Sequence, residues 1–367
     1  MQIQTRIIEG TDLKELFISA SPSPAAQPRY QAQEVFRAIR EILTSHNAVV
    51  LQERAFGTAD ALDAVKKVRK KYYGGLDDGV EPAWLKVPAC ANGKLSGVQV
   101  HAVAGLDSVE VLAYEGKPCG RIVRKNGREY LALSGVRAPE AGSAVNQARR
   151  MLEKSETVLK QAGVDLLAVP RTWMWLGDIL KWYSDFNHVR NTFFTERGML
   201  GKGVLTRMPA STGIGIGPDN GAICAMDLTA IIKPRESLTY IDEGGNQKSA
   251  YEYGSAFSRA SQVASPAGRT VFVSGTASID SAGNTTNIDD AEAQIRDTIA
   301  NVRAVLTQMK CADRDVVQSL IYCKTPAVEK VFYEKFSDLP WPKVTMIADV
   351  CRDDLLFEIE ATATVAQ

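Results

Sequence analysis

Two stretches decide how the chain is organised: Gly127-Arg128-Glu129-Tyr130-Leu131-Ala132-Leu133-Ser134-Gly135 and Gly268-Arg269-Thr270-Val271-Phe272-Val273-Ser274-Gly275. Each is a Gly-Arg turn, an apolar run of strand length and a closing Ser-Gly, so the chain carries an internal repeat. Behind each strand comes a helical stripe. It is Ala144, Ala148, Leu152, Ser155, Leu159 and Ala162 in the first copy and Ala291, Ile295, Ile299, Val302, Leu306 and Met309 in the second, each pair 147 residues apart. Steps of three and four put these side chains on one helix face, with Ser155 the polar exception. The same offset continues through Arg171-Thr172-Trp173-Met174-Trp175 and Gln318-Ser319-Leu320-Ile321-Tyr322, which read as the next strand.

Second helices follow at Phe186 to Phe194 and Val328 to Phe336. An offset of 133 then aligns Pro209-Ala210-Ser211-Thr212 with Pro342-Lys343-Val344-Thr345, and the final strands Ala222 to Ile231 with Leu355 to Thr364. Each copy therefore predicts β, helix, β, helix, β, β: an α/β (α+β) fold with a mixed sheet and helices on one face. The other face needs cover. Sheets of two or three such units packing face to face, within a monomer or through a homo-oligomer, would give a pseudo-trimeric, barrel-like core. The expected division is 1–125 as an N-terminal extension completing the first unit, 126–232 as the first unit and 233–367 as the second. The extension holds a helix-like stretch at Gln31 to Leu43, a strand-like Ala48-Val49-Val50-Leu51 and a basic helix at Asp60 to Lys71.

With 43 Lys+Arg against 43 Asp+Glu in 367 residues, the chain lacks the global positive field that nucleic-acid binding draws on. The basic run Lys66-Lys67-Val68-Arg69-Lys70-Lys71 reads as a solvated helix face, with an anion site as the alternative. A hydrophobic share of 45% with 23% charged residues indicates a folded globular chain. Met1-Gln2-Ile3-Gln4-Thr5-Arg6 is not a signal-peptide start, and no run of apolar residues is long enough to span a bilayer, so a cytoplasmic protein without a membrane partner is expected. Six cysteines without CxxC spacing point to reduced thiols, and His46, His101 and His188 stand far apart, so no metal site is expected. Neither GxGxxG nor GxxxxGK[ST] occurs, which argues against a nucleotide phosphate loop.

A duplicated scaffold separates residues that serve the fold from residues that differ and can carry chemistry. Glu358 and Glu360, two apart in the last strand, share a sheet face. Under the offset of 133 they meet Ala225 and Asp227, so the acid at 360 is common to both copies and Glu358 is unique to the second. Flanked by Leu355, Leu356, Phe357 and Ile359, Glu358 reads either as a desolvated acid suited to proton donation or as an edge-strand carboxylate facing water. Cys351, seven residues upstream, reads by itself as a small packing residue, and no histidine near it in sequence suggests a Cys-His nucleophile. In the first copy Arg171, Trp173 and Trp175 put a cation beside aromatic rings, which suits a flat carboxylated ligand and equally suits a core.

The second copy, from Gly254-Ser255-Ala256-Phe257-Ser258-Arg259 through Val273-Ser274-Gly275-Thr276 to Phe357-Glu358-Ile359-Glu360-Ala361, resembles the YjgF/RidA family, whose fold is chorismate-mutase-like and usually trimeric. Rid-type deaminases hold a substrate carboxylate with an arginine just after a proline, and the matching position here is Lys343. Over residues 30 to 367 the chain resembles the chorismatases. The motifs are Arg171 to Trp175, Trp182-Tyr183-Ser184-Asp185-Phe186-Asn187-His188-Val189-Arg190, Pro209 to Thr212, and Cys351-Arg352-Asp353-Asp354-Leu355-Leu356-Phe357-Glu358.

That resemblance implies a cofactor-independent enzyme, of lyase or hydrolase type, acting on chorismate in secondary metabolism, with Glu358 protonating the enolpyruvyl group and pyruvate as one product. A cysteine seven residues before the glutamate and a glycine in Tyr253-Gly254-Ser255-Ala256-Phe257-Ser258-Arg259 match the branch that makes 3-hydroxybenzoate, so Cys351 and Gly254 are assigned to the site. Cations must hold the two carboxylates of chorismate, and by position these are Arg171, Arg259 and Lys324, with Trp175 and Tyr322 as pocket walls. The competing readings are chorismate hydrolysis to a dihydroxycyclohexadiene carboxylate, 4-hydroxybenzoate formation, a Rid-type imine deaminase, and a non-catalytic small-ligand or RNA-associated protein of the same fold.

Overall fold

The Gly-Arg turn of the first repeat is a two-residue hairpin in which Asn126 and Gly127 hold φ of 49° and 78° while Lys125 pairs with Arg128. Asn-Gly tolerates these positive angles, and the turn's twist matches that of the strands it joins. In the computed structural model, which describes residues 1–25, 27–91, 93–201, 207–245 and 247–366, that hairpin lies within the second of three six-stranded sheets.

The first sheet is built from β1 (Gln2–Glu9), β2 (Lys14–Ser21), β3 (Ala48–Gly57), β4 (Ala83–Lys86) and β5 (Leu95–Ala104), with helices α1 (Pro28–Ser45) and α2 (Leu62–Tyr73). The second comprises β6 (Glu110–Tyr114), β7 (Lys117–Lys125), β8 (Arg128–Arg137), β9 (Arg171–Leu176), β10 (Ala210–Ile214) and β12 (Cys224–Lys233), with α3 (Ala144–Gln161) and α4 (Ile179–Glu196). Between its last two strands, β11 (Gly217–Pro218) crosses to pair with β4 of the first sheet. The third contains β13 (Thr239–Ile241), β14 (Ala260–Ala264), β15 (Gly268–Ala277), β16 (Val316–Cys323), β17 (Lys343–Ile347) and β18 (Phe357–Ala366), with α5 (Ala291–Gln308) and α6 (Pro326–Lys335).

Local chemistry starts the helices where the sequence allows it. Ser143, Asp290 and Thr325 cap α3, α5 and α6 by accepting from Asn146 N, Ala293 N and Val328 N, while Pro28 and Pro326 open α1 and α6. Each helix pair buries its apolar stripe on its own sheet. A fourth apolar cluster takes side chains from all three sheets, among them Leu51, Phe56, Trp173, Trp175, Phe272 and Tyr322. It supplies the cover that the helix-free faces require. Isolated bridges, Ala210 to Ser258 and Gly215 to Asp349, tie the second sheet to the third. No described helix is long and apolar enough to cross a membrane.

Two expectations change. The segment before residue 125 does more than complete the first repeat: β1 to β5 form a sheet of their own, and in chain order they repeat the strand, strand, helix, strand, helix, strand, strand plan of the other two units. Only Glu110–Lys125 joins the second sheet, as β6 and β7. This N-terminal copy lacks the Gly-Arg and Ser-Gly signatures, since its first hairpin turns at Gly10-Thr11-Asp12-Leu13. The final strands also begin two residues later than expected, at Cys224 and Phe357, because Asp353 and Asp354 lie in a turn that precedes β18.

Candidate active site

The register of β9 with β12 and of β16 with β18 reproduces both sequence offsets: Arg171 stands opposite Thr229 as Gln318 does opposite Thr362, and Trp175 opposite Ala225 as Tyr322 does opposite Glu358. The first sheet adds a third member, with Gln52 opposite His101 and Phe56 opposite Gly97. Position by position, then, Glu358 corresponds to Ala225 and Gly97. A Cβ on Gly97 would come within 2.8 Å of the Val344 side chain, so the junction of the third and first sheets has no room for a carboxyl there. The junction of the second and third sheets alone places a glutamate at this position.

A cavity of about 550 Å³ opens at that junction, of a size that suits a small ligand. One wall is the start of α4, from Leu180 to Asn191; the others come from Ser211 and Gly213 on β10, the Gly254 to Arg259 segment, Gly275 on β15 and the Cys351-Arg352 turn. Glu358 is 5% exposed and lines it. Its carboxyl lies over Gly275, where an added Cβ would sit 2.1 Å from Glu358 Oε1, so glycine at 275 makes the seat for the acid. Burial, and then the neighbouring Glu360, push the Glu358 carboxyl up to about 8, against the pull of Arg171 and Arg259. The group therefore carries a proton at neutral pH. Burial and the proximity of Glu358 push the Cys351 thiol up to about 12, so it faces the cavity as a neutral thiol and not as a nucleophilic thiolate.

Gly254 holds φ of 94°, a conformation that favours glycine, and an added Cβ there would meet nothing within 4 Å. Its carbonyl accepts from Asn191 Nδ2 at 2.9 Å, which fastens this wall to α4. Arg259 is buried beside the cavity, its Nε donating to Lys248 O at 2.9 Å. Glu358, Cys351, Gly254 and Arg259 are thus brought together at one cavity.

The other four assigned residues lie outside the cavity lining. Arg171 is buried, and its Nη2 donates to Glu360 Oε2 at 2.8 Å and to Thr212 Oγ1 at 2.5 Å, so that nitrogen is committed within the protein. Trp175 and Tyr322 occupy the position that Phe56 holds in the first sheet, and all three fill the shared core, Trp175 meeting Phe56 edge-on at 5.9 Å. An aromatic in every copy marks packing and not a pocket wall. Lys324 donates to Asp353 O at 2.6 Å and steadies the Arg352-Asp353 turn from behind. Lys343 is turned away too, its Nζ donating to Leu339 O at 2.7 Å.

Sequence reasoning missed Lys181, Tyr183, His188 and Arg352 at the cavity, and Gly275 beneath the acid. Tyr183, His188 and Arg352 lie in the motif stretches quoted above, Lys181 immediately precedes one of them and Gly275 belongs to the Ser-Gly that closes the repeat, so most of the signal was present without a role attached. Among the described residues, no group of three or more His, Cys, Asp or Glu side chains is arranged to hold a metal ion.

Residues 252–365 match the Ribonuc_L-PSP family model, described as Endoribonuclease L-PSP. The chain is 29% identical over 266 residues to a 3-hydroxybenzoate synthase of Streptomyces hygroscopicus, covering 63% of this chain and 73% of that protein. A chorismatase crystal structure matches 99% of this chain and 98% of its own, with a TM-score of 0.60 and 18% identity. The chain has the chorismatase fold. Within the YjgF-like units of this chorismatase fold the cavity sits between the second and third copies, and the family-model match spans the copy that carries Glu358. A YjgF/YER057c/UK114 family protein of Mycobacterium tuberculosis is 29% identical over 35% of the chain and all of its own, with a TM-score of 0.27.

Proposed function

We propose that the protein converts chorismate to 3-hydroxybenzoate and pyruvate. The observation that carries this reading is a buried Glu358 lining a cavity that Arg259 and Arg352 also line; burial raises its carboxyl, which suits it to give a proton. These two cations replace Arg171 and Lys324 as partners for the substrate carboxylates. The 29% identity to a 3-hydroxybenzoate synthase supports the same chemistry.

In the proposed reaction Glu358 gives its proton to the enolpyruvyl methylene carbon, producing an oxocarbenium-like group. The bond from ring C3 to the ether oxygen breaks and its electron pair leaves with pyruvate. The ring 4-hydroxyl closes on C3 and returns a proton to Glu358, giving an arene oxide. Cleavage of the C4–oxygen bond, loss of the C3 hydrogen as a proton and protonation of the oxygen yield 3-hydroxybenzoate. Substrate and products balance without water, whereas hydrolysis to the dihydroxycyclohexadiene carboxylate consumes one. Nothing in the cavity favours a Rid-type deaminase, since the Lys343 ammonium is turned toward backbone carbonyls.

The test is incubation of the purified protein with chorismate alone, with pyruvate read by coupling to lactate dehydrogenase and the aromatic product by chromatography. Equal yields of pyruvate and 3-hydroxybenzoate are expected. Absence of pyruvate refutes the reading, and pyruvate with the diene carboxylate moves the protein to the hydrolytic reaction.

A further inference from the structure

The residues behind Glu358 differ from their counterparts at the other two sheet junctions. Gln52 of the first sheet donates to Leu133 O and Leu228 O of the second, at 2.8 and 3.3 Å. Gln318 of the third donates to Ile18 O and Val100 O of the first, both at 3.0 Å. At the equivalent position the second sheet carries Arg171, which reaches Glu360. Glu360 in turn corresponds to Gln99, whose Nε2 donates to Ser319 O at 2.8 Å. The junction of the third and first sheets is therefore held by Gln318 and Gln99, with no charge at either position. Joining the third sheet to the first requires no ion pair there, whereas Asp227, at the Glu360 position of the first–second junction, accepts from Arg54 Nε at 2.7 Å; only the second–third junction sets such a pair behind a second carboxyl, Glu358.

Glu360 is fixed from two sides, by Arg171 Nη2 at 2.8 Å and by Trp173 Nε1 at 2.6 Å. It shares a strand face with Glu358, one pleat repeat away. Around Glu358, Arg171 on β9 and Arg259 before β14 favour ionisation. Tyr322 on β16, Tyr183 on α4 and Cys351 are neutral, each raised by burial. Arg352, Lys181, Asp185 and His188 stand at the cavity walls. Glu360 is the carboxyl group set against Glu358 from within the protein, and its proximity raises Glu358.

We propose that the Arg171–Glu360 pair is a positioning device for catalysis: Glu360, held in place by Arg171 and Trp173, keeps the neighbouring Glu358 loaded with the proton it must deliver. The proposal rests on Glu358 being the acid of the proposed reaction. It explains why Arg171, the residue the sequence offers as a substrate cation, is buried behind the site.

The double variant Arg171→Gln, Glu360→Gln rebuilds the neutral pair of Gln318 and Gln99, and the full chain carrying it is the test. The titration of Glu358 is read by carbon-13 NMR of glutamate-labelled protein, with Glu358→Gln as the spectral blank. The midpoint is expected to fall, because the loss of Glu360 outweighs the loss of the opposing Arg171, and the alkaline limb of kcat to move by the same amount while KM for chorismate stays within about twofold. An unchanged midpoint in a folded double variant overturns the proposal. Should that variant fail to fold, Glu360→Gln alone is titrated with the same criteria, and Glu360→Asp, which retains the charge, should keep the wild-type midpoint. A wild-type protein that shows the raised titration and its loss in the variant, yet releases no pyruvate, refutes the chorismate reading while the pair's role stands.

Discussion

Replacing Glu358 by Gln separates the cost of the acid from its use. In the folded protein this carboxyl is raised from its ordinary 4.5 to about 8. The unfolded chain releases the proton from about pH 4.5, whereas the native state holds it to about 8, so native Glu358 binds more protons throughout that window. Stability therefore falls as pH rises between the two values, by about 1.4 kcal/mol per unit, and is fully present below the lower one. Accumulated from the acid side, the cost is about 1 kcal/mol at pH 5 and about 3 kcal/mol at pH 7. Gln matches the protonated carboxyl in shape and cannot ionise, so Glu358→Gln removes the cost. Urea unfolding at both pH values is the assay. The variant should be more stable at each, the advantage growing by about 2 kcal/mol between them, which moves the urea midpoint by the order of 1 M. Pyruvate release from chorismate should disappear in the same protein. In the wild type the rate should fall about tenfold per unit above pH 8, as Glu358 gives up its proton. An advantage that is the same at pH 5 and pH 7 would show that Glu358 does not carry a proton into the native state, and the acid role would go with it.

Three further substitutions probe the site and its surroundings. Gly275→Ala would set a Cβ 2.1 Å from Glu358 Oε1, so the carboxyl must move by about 1 Å; kcat should drop about 100-fold with KM little changed, and an unaltered kcat would remove Gly275 as the seat of the acid. Cys351→Ala enlarges the cavity beside the acid and should shift product from 3-hydroxybenzoate toward the hydrolytic diene, measured as their ratio by chromatography; an unchanged ratio assigns the thiol to packing alone. Lys343→Met removes an ammonium that burial pulls below its ordinary value and that lies outside the cavity. Turnover should therefore be unaffected, and a loss of activity in the folded variant would reopen the comparison with deaminases.

Much of the fold was legible because the second and third units retain one register. The stripes from Ala144 to Ala162 and from Ala291 to Met309 keep a helix-forming spacing, and the offsets of 147 and 133 recur in the strand pairing. The first unit escaped notice because its sheet repeats the plan without the signatures. Hydrophobic alternation can be met by many sequences, and Gly10-Thr11-Asp12-Leu13 makes its turn without a Gly-Arg pair. At the site, Glu358 was legible as the acid that only one copy possesses, and Cys351 lay in the adjoining turn. Arg171 was misread for a physical reason. A cation beside aromatic rings has one composition whether it faces a ligand or a buried carboxylate, and the choice was made by Glu360, 189 residues away.

By itself, then, the sequence determined a repeated mixed-sheet unit, its helix-covered face and an acid unique to one copy, since periodicity and register are properties of the chain read in order. Tertiary structure decided where the acid acts. It brought the third unit against the second so that Glu358 shares a cavity with α4, laid it on Gly275, and put the charge of Glu360 beside it. Those effects depend on distance through space and on exclusion of water, which are established only when segments remote in sequence pack together.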